Sequence, residues 1–132
     1  MDANYKLIMI TYYEYLKNIL EKIINSYKVL LELEDKSGDL EIIKKEVSKI
    51  NGFFQVLVNR IGIEKFESSD FLDLKSKLEY YLNNYSFDKE IETMSALYSD
   101  DKNRLKNIRL KILESLDDMK LRDKIEYILE KV

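Results

Sequence analysis

Residues 39–63 read DLEIIKKEVSKINGFFQVLVNRIGI. Apolar side chains recur there at Ile43, Val47, Ile50, Phe54, Leu57 and Ile61, in alternating steps of four and three. Such a spacing keeps one stripe of an α-helix apolar along its whole length. It predicts a helix over 39–61 with that stripe buried as the spine of the fold. Asp39 can cap its start, and Glu41 stands in the first turn, where the helix dipole favours an acid. Gly62 suits the left-handed residue that ends a helix, with Ile63 folding back on Val58. Asn51-Gly52 is a turn signal when taken alone. The apolar stripe keeps phase across it, so the pair reads as helical. Gly52 is then expected to admit a close neighbouring helix, at about 1 kcal/mol relative to Ala.

Upstream, Asp2 can cap a first helix from Ala3. Its stripe runs through Tyr5, Ile8, Met9, Tyr12, Leu16, Ile19, Leu20, Ile23, Tyr27, Leu30 and Leu31. No breaker precedes Asp35-Lys36-Ser37-Gly38. A helix of that length spans about 50 Å, long beside the roughly 14 Å radius of gyration of a compact domain this size. It must kink, protrude or be covered, and Ser26, set among apolar positions, is the expected weak point. Gly38 is expected to terminate it. The short connection makes the first two helices a long antiparallel hairpin.

Downstream, Phe66 is expected to tuck under a loop over 64–68. Ser68 or Ser69 caps a third helix, about 70–84, with Phe71, Leu74, Leu78, Tyr81 and Leu82 inward. Ser86 caps a short fourth helix, 87–98, with Ile91, Met94 and Leu97 inward. Ser99-Asp100-Asp101 starts a fifth helix on Leu105, Ile108, Ile112 and Leu116. There the phase slips. Met119 continues the old stripe, whereas Leu121, Ile125, Ile128 and Val132 begin another, which puts a break at Asp117-Asp118. The fold class is therefore all-α: a single helical domain over 1–132, built on the long hairpin with three to four shorter helices. No repeat period is visible, and no alternating pattern suggests a sheet.

Composition narrows the chemistry. The 132 residues include no His, no Cys and no Pro. Without His or Cys, the usual nucleophile–base pairs and the commoner metal sites cannot be built. No catalytic set of nucleophile, base and oxyanion donors emerges, so no enzyme, no metal and no cofactor is expected. Asp35, Ser37, Asp39 and Glu46 fall at the first, third, fifth and twelfth places of a calcium loop. The sixth place, which needs Gly, holds Leu40, and helix capping explains the same residues. The N-terminal stretch lacks the basic and small-residue features of a signal peptide, and the run Leu7–Ile10 is too short to span a bilayer. The expected place is the cytoplasm, with no membrane contact. The abundance of Lys over Arg, with frequent Ile, Asn and Tyr, has the look of an AT-rich bacterial genome.

Two features point to binding. The chain holds 10 tyrosines, clustered on the first and third helices, and they cannot all face one core. Tyr13, Tyr15, Tyr80 and Tyr85 are candidates for contact with a partner protein, since aromatic patches mark interfaces. Alternatively, Tyr serves as a half-buried boundary residue. Lys102, Arg104, Lys106, Arg109 and Lys111 lie in KNRLKNIRLK with no acid among them. On a helix, Lys102, Lys106 and Arg109 share one face, and Arg104 and Lys111 lie on the opposite flank. Such residues can contact nucleic-acid phosphates, or snorkel along the border of a core. The net charge of −3 argues against nucleic acid. The expected function is thus a non-enzymatic binding protein acting by protein–protein contact, as an adaptor, chaperone, immunity protein or inhibitor, with a homodimer among its forms. A nucleic-acid-binding regulator using residues 102–111 is the alternative. The long hairpin resembles the general architecture of small export chaperones, bacteriocin-type immunity proteins and phage-encoded inhibitors, with no motif in common with any of them.

Overall fold

A computed structural model describes residues 3–62 and 68–131, with side chains from residue 10 onward. Among these residues six α-helices follow one another: α1 Ala3–Glu32, α2 Asp39–Arg60, α3 Ser69–Asn84, α4 Asp88–Leu97, α5 Lys102–Asp117 and α6 Leu121–Lys131. A single 3-10 turn, Asp118–Lys120, joins the last two. The fold is all-α, with no strand among the described residues.

The stripe of 39–61 is the spine. Ile43, Val47, Ile50, Phe54, Leu57 and Ile61 are all buried. α1 packs along α2 over its length, and the Tyr12 hydroxyl donates to the Arg60 carbonyl at 2.9 Å, so the start of α1 meets the end of α2. The hairpin is therefore antiparallel. α3 lies on α2, and α6 lies on α1 and α3. α5 contacts α1, α2 and α6, whereas α4 touches α2 and α5. Phe54 sits at the centre, fully buried, with the Tyr81 ring edge-on at 4.9 Å between centroids, a favoured aromatic geometry.

Several local expectations give way to tertiary contacts. α1 runs unbroken through Ser26, which is buried. It stops at Glu32, before Gly38 is reached, and Leu31 at its end is exposed. In the loop that follows, Asp35 takes the left-handed region (φ 61°) and is buried. Gly38 (φ 94°) instead opens α2. Asp39 does not cap that helix. Its carboxylate accepts from the Lys36 amide at 3.1 Å, and its own amide donates to the Lys36 carbonyl at 3.0 Å, so it braces the loop behind it. Gly52 admits no close neighbour: a Cβ added there would meet nothing within 4 Å. Gly62 is left-handed (φ 92°), as expected of a helix terminator. Asp2, Ile63, Phe66 and Val132 lie outside the described residues.

Ser68 caps α3 by accepting from the Phe71 amide at 3.3 Å. Asp101 caps α5, accepting from the Asn103 and Arg104 amides at 3.0 and 3.1 Å. Ser86 makes no cap for α4, where the N-terminal position belongs to Phe87, buried against the core. Leu97, expected inward, is 67% exposed. The break after Asp117 is real, yet Met119 leaves the stripe for solvent. Met119 and Lys120 are both left-handed, at φ 55° and 56°, and this turn re-aims α6 so that Leu121, Ile125 and Ile128 are buried.

Candidate binding groove between α4 and α5

α4 is the least secured helix. It has 10 residues and buries only Ile91 and Met94. α5 follows after a tight turn in which the Asp101 amide donates to the Tyr98 carbonyl at 3.0 Å. α5 buries Leu105, Ile108, Ile112, Leu113 and Leu116. Between the two helices runs an open groove of about 760 Å³, a volume in the range of binding sites. α4 contributes Lys89, Glu90, Thr93, Met94 and, past its end, Tyr98. α5 contributes Arg104, Asn107, Ile108 and Lys111. Met94 and Ile108 supply an apolar floor.

Each end of the groove carries a cation with an acidic neighbour, Asp101 beside Arg104 and Glu90 beside Lys111. The Arg104 guanidinium lies 3.7 Å from the centroid of the Tyr98 ring, a cation–π contact of the order of 0.5–1 kcal/mol at an exposed site. Asp101 stands 3.8 Å from the Arg104 Nε, although its other oxygen is committed to capping α5. Toward the far end, Lys111 Nζ reaches across to Glu90 Oε1 at 2.9 Å and ties α5 to α4. Both side chains of that bridge are well exposed, at 61% and 46%. Exposed pairs of this kind contribute roughly 0–1 kcal/mol, so the tie opens easily. Among the lining side chains Lys89, Arg104 and Lys111 face Glu90 alone. Counting Asp101 beside Arg104 as well, the three cations still exceed the two acids by one, within a chain of net charge −3.

The five basic residues of 102–111 do not form one surface. Arg104 and Lys111 share the groove flank, as their spacing suggests. Lys102 and Lys106 are exposed on the opposite flank. Arg109, expected beside them, is buried. Its Nε and Nη2 donate to the two oxygens of Asp35 at 2.7 and 3.0 Å, and its Nη1 lies 3.4 Å from the Leu30 carbonyl. The hydrogen bond to Asp35 holds the Arg109 pKa above its ordinary value against the opposing effect of burial.

The tyrosine candidates separate as well. Tyr13 is half-buried and stacks on Phe71 at 5.5 Å. Tyr85 is half-buried, stacks on Phe87 at 6.3 Å and donates its hydroxyl to Asp118. That hydrogen bond to a carboxylate pushes the Tyr85 pKa up to about 12. Tyr15 and Tyr80 present themselves to solvent, 43% and 39% exposed, with Arg60 5.7 Å from the Tyr15 ring. Tyr98, the ring at the mouth of the groove, is not among the candidates that the sequence suggests. Its signal was an apolar pair, Leu97-Tyr98, at the end of a short helix, six residues before an arginine.

The residues in calcium-loop register are occupied elsewhere. Asp35 holds Arg109, and the Ser37 hydroxyl donates to Asp100 at 2.8 Å. Asp39 braces the Lys36 amide, and Glu46 lies 3.5 Å from Lys49. Among the described residues no acidic cluster converges as a metal site would. No helix among them is long and apolar enough to cross a membrane.

No protein-family model matches the chain, and no solved structure matches it. The chain is 31% identical, over 115 residues, to an uncharacterised protein of Plasmodium falciparum (isolate 3D7). The match covers 87% of this chain and 10% of that protein, so the chain spans about a tenth of the relative's length.

Proposed function

We propose that the protein is a non-enzymatic binding module of the adaptor, chaperone, immunity or inhibitor type, acting in the cytoplasm. It holds a partner protein in the α4–α5 groove. The observation that carries this reading is the groove itself. It has an apolar floor of Met94 and Ile108, one wall secured by only two buried residues, and Leu97 and Tyr98 exposed at its end. Large exposed apolar side chains beside a concavity are a mark of protein contact.

A nucleic-acid reading is supported by Arg104 and Lys111 on one flank. It is weakened by the withdrawal of Arg109 into the core and by the apolar floor, because phosphate contact favours a continuous basic track. Self-association is supported by the exposed Tyr15 and Tyr80.

A photo-crosslinking residue at Thr93, with a second variant carrying it at Tyr15, tests this in the native cell. A discrete protein adduct from Thr93, resistant to nuclease and lost on Met94→Glu, is the expected result. An adduct from Tyr15 alone, at twice the mass of the chain, moves the interface to α1 and makes it a homodimer. A nuclease-sensitive adduct from Thr93 overturns the reading in favour of nucleic acid.

A further inference from the structure

The groove's shape and charge go further than the presence of a partner. Resting on the reading of the groove as a protein-binding site, we infer that its occupant is an acidic amphipathic helix of a partner protein. The helix lays apolar side chains over the floor of Met94 and Ile108 and presents two carboxylates, one to Arg104 and one to Lys111, displacing Glu90.

The length of the site suits a helix. α4 has 10 residues, about 15 Å or three turns at 1.5 Å per residue. An extended peptide gains affinity by adding to a sheet edge. Here both walls are α-helices, whose backbone groups are bonded within themselves, so no such edge exists. A helix needs only a groove for anchors at i, i+3/i+4 and i+7, and the Met94–Ile108 floor supplies one.

Charge complementarity selects an acidic face. Lys89, Arg104 and Lys111 outnumber Glu90 in the lining and Asp101 beside Arg104, so like-charge repulsion disfavours a basic segment. Arg104 and Lys111 are seven residues apart on one flank of α5, two turns or about 10 Å. Acids seven residues apart on a helix lying alongside α5 match that spacing. Glu90 already shows how a carboxylate sits on Lys111, at 2.9 Å. It acts as an internal competitor that must be displaced, which lowers the affinity of any acidic occupant.

The test uses the full chain and two synthetic helical peptides. They share an apolar face of Leu at i, i+4 and i+7 and differ in carrying Glu or Lys at two flanking positions seven residues apart. Fluorescence anisotropy reads the binding. The Glu peptide is expected to bind at least tenfold more tightly than the Lys peptide, and more weakly as salt rises. Glu90→Gln should tighten the Glu peptide about fivefold, since a competitor worth up to about one exposed ion pair is removed. Arg104→Glu with Lys111→Glu should reverse the preference. All three side chains are exposed, and unchanged circular dichroism shows that the variants fold.

If the two peptides bind equally, the acidic occupant is wrong while the groove remains a protein site, a reading that the Thr93 crosslink decides separately. If neither binds, or if Glu90→Gln leaves the Glu peptide unchanged, the inference is overturned. A single-stranded oligonucleotide that binds with the same dependence on Arg104 and Lys111 also overturns it, because the cations then serve phosphate.

Discussion

Arg109 of α5 donates to both carboxylate oxygens of Asp35, at 2.7 and 3.0 Å, across 74 residues of sequence. This buried fork pins the α1–α2 loop to α5. Breaking one partner of a buried pair leaves an uncompensated charge and costs about 3–5 kcal/mol. Arg109→Leu should lower the urea-derived stability by that amount. Arg109→Lys should recover only part of it, because an ammonium cannot make the planar double contact. Arg109→Leu combined with Asp35→Asn should be milder than Arg109→Leu alone, since the stranded charge is gone.

Gly52 gives the opposite sign. It lies inside α2 with open space where a side chain would go. Gly52→Ala reduces the conformational freedom of the unfolded chain without a clash. It should raise stability by roughly 0.5–1 kcal/mol, read as a higher urea midpoint with an unchanged slope. A destabilised Gly52→Ala protein would show that α2 has a close neighbour there after all.

The turn before α6 holds two non-glycine residues in the left-handed region, Met119 and Lys120, each costing about 1–2 kcal/mol. Lys77 Nζ donates to the Met119 carbonyl at 2.8 Å and holds the turn in place. Lys120 is exposed, so Lys120→Gly relieves strain without losing packing. It should stabilise the fold by about 0.5–1 kcal/mol once the greater freedom of the unfolded glycine is subtracted. Thermal melts of this variant and of Lys77→Ala, expected to shift in opposite directions, check this.

High pH should unfold the protein through its tyrosines. Tyr85 is pushed up to about 12 by its hydrogen bond to Asp118, and Tyr81 to about 12 by burial. Burial also raises Tyr27. Folded values above the unfolded value of 10.0 mean that the folded state keeps protons that the unfolded chain releases. Their stabilising effect is complete below pH 10 and is lost as pH climbs through 12, stability falling wherever the native state binds more protons. Tyrosinate absorbance from Tyr81 and Tyr85 should therefore rise only in a later phase that coincides with loss of helical circular dichroism. Tyr85→Phe should reduce the later phase. A single phase complete before any unfolding would contradict this.

The helices were legible because their signals are local. The four-three stripe of 39–61, the cap at Ser68, the Asp101 start and the break after Asp117 each depend on residues within a turn or two of one another. The same local reading put Arg104 and Lys111 on one flank of α5, which is half of the candidate groove. It could not find the other half. α4 and Tyr98 enter the site only because α4 packs lightly against α2 and α5, and nothing in residues 88–98 alone shows how much of that helix its neighbours leave uncovered.

By itself, then, the sequence determined an all-α fold, its helical spine and a chemistry without His or Cys. The tertiary structure alone decided which polar residues are spent on structure and which stay at the surface. Arg109 and Tyr85 look like their neighbours in the chain, yet Asp35 and Asp118, brought from 74 and 33 residues away, commit them to the core and its border. A buried charge must be paired, and which charges become buried depends on packing between helices, which no local pattern encodes.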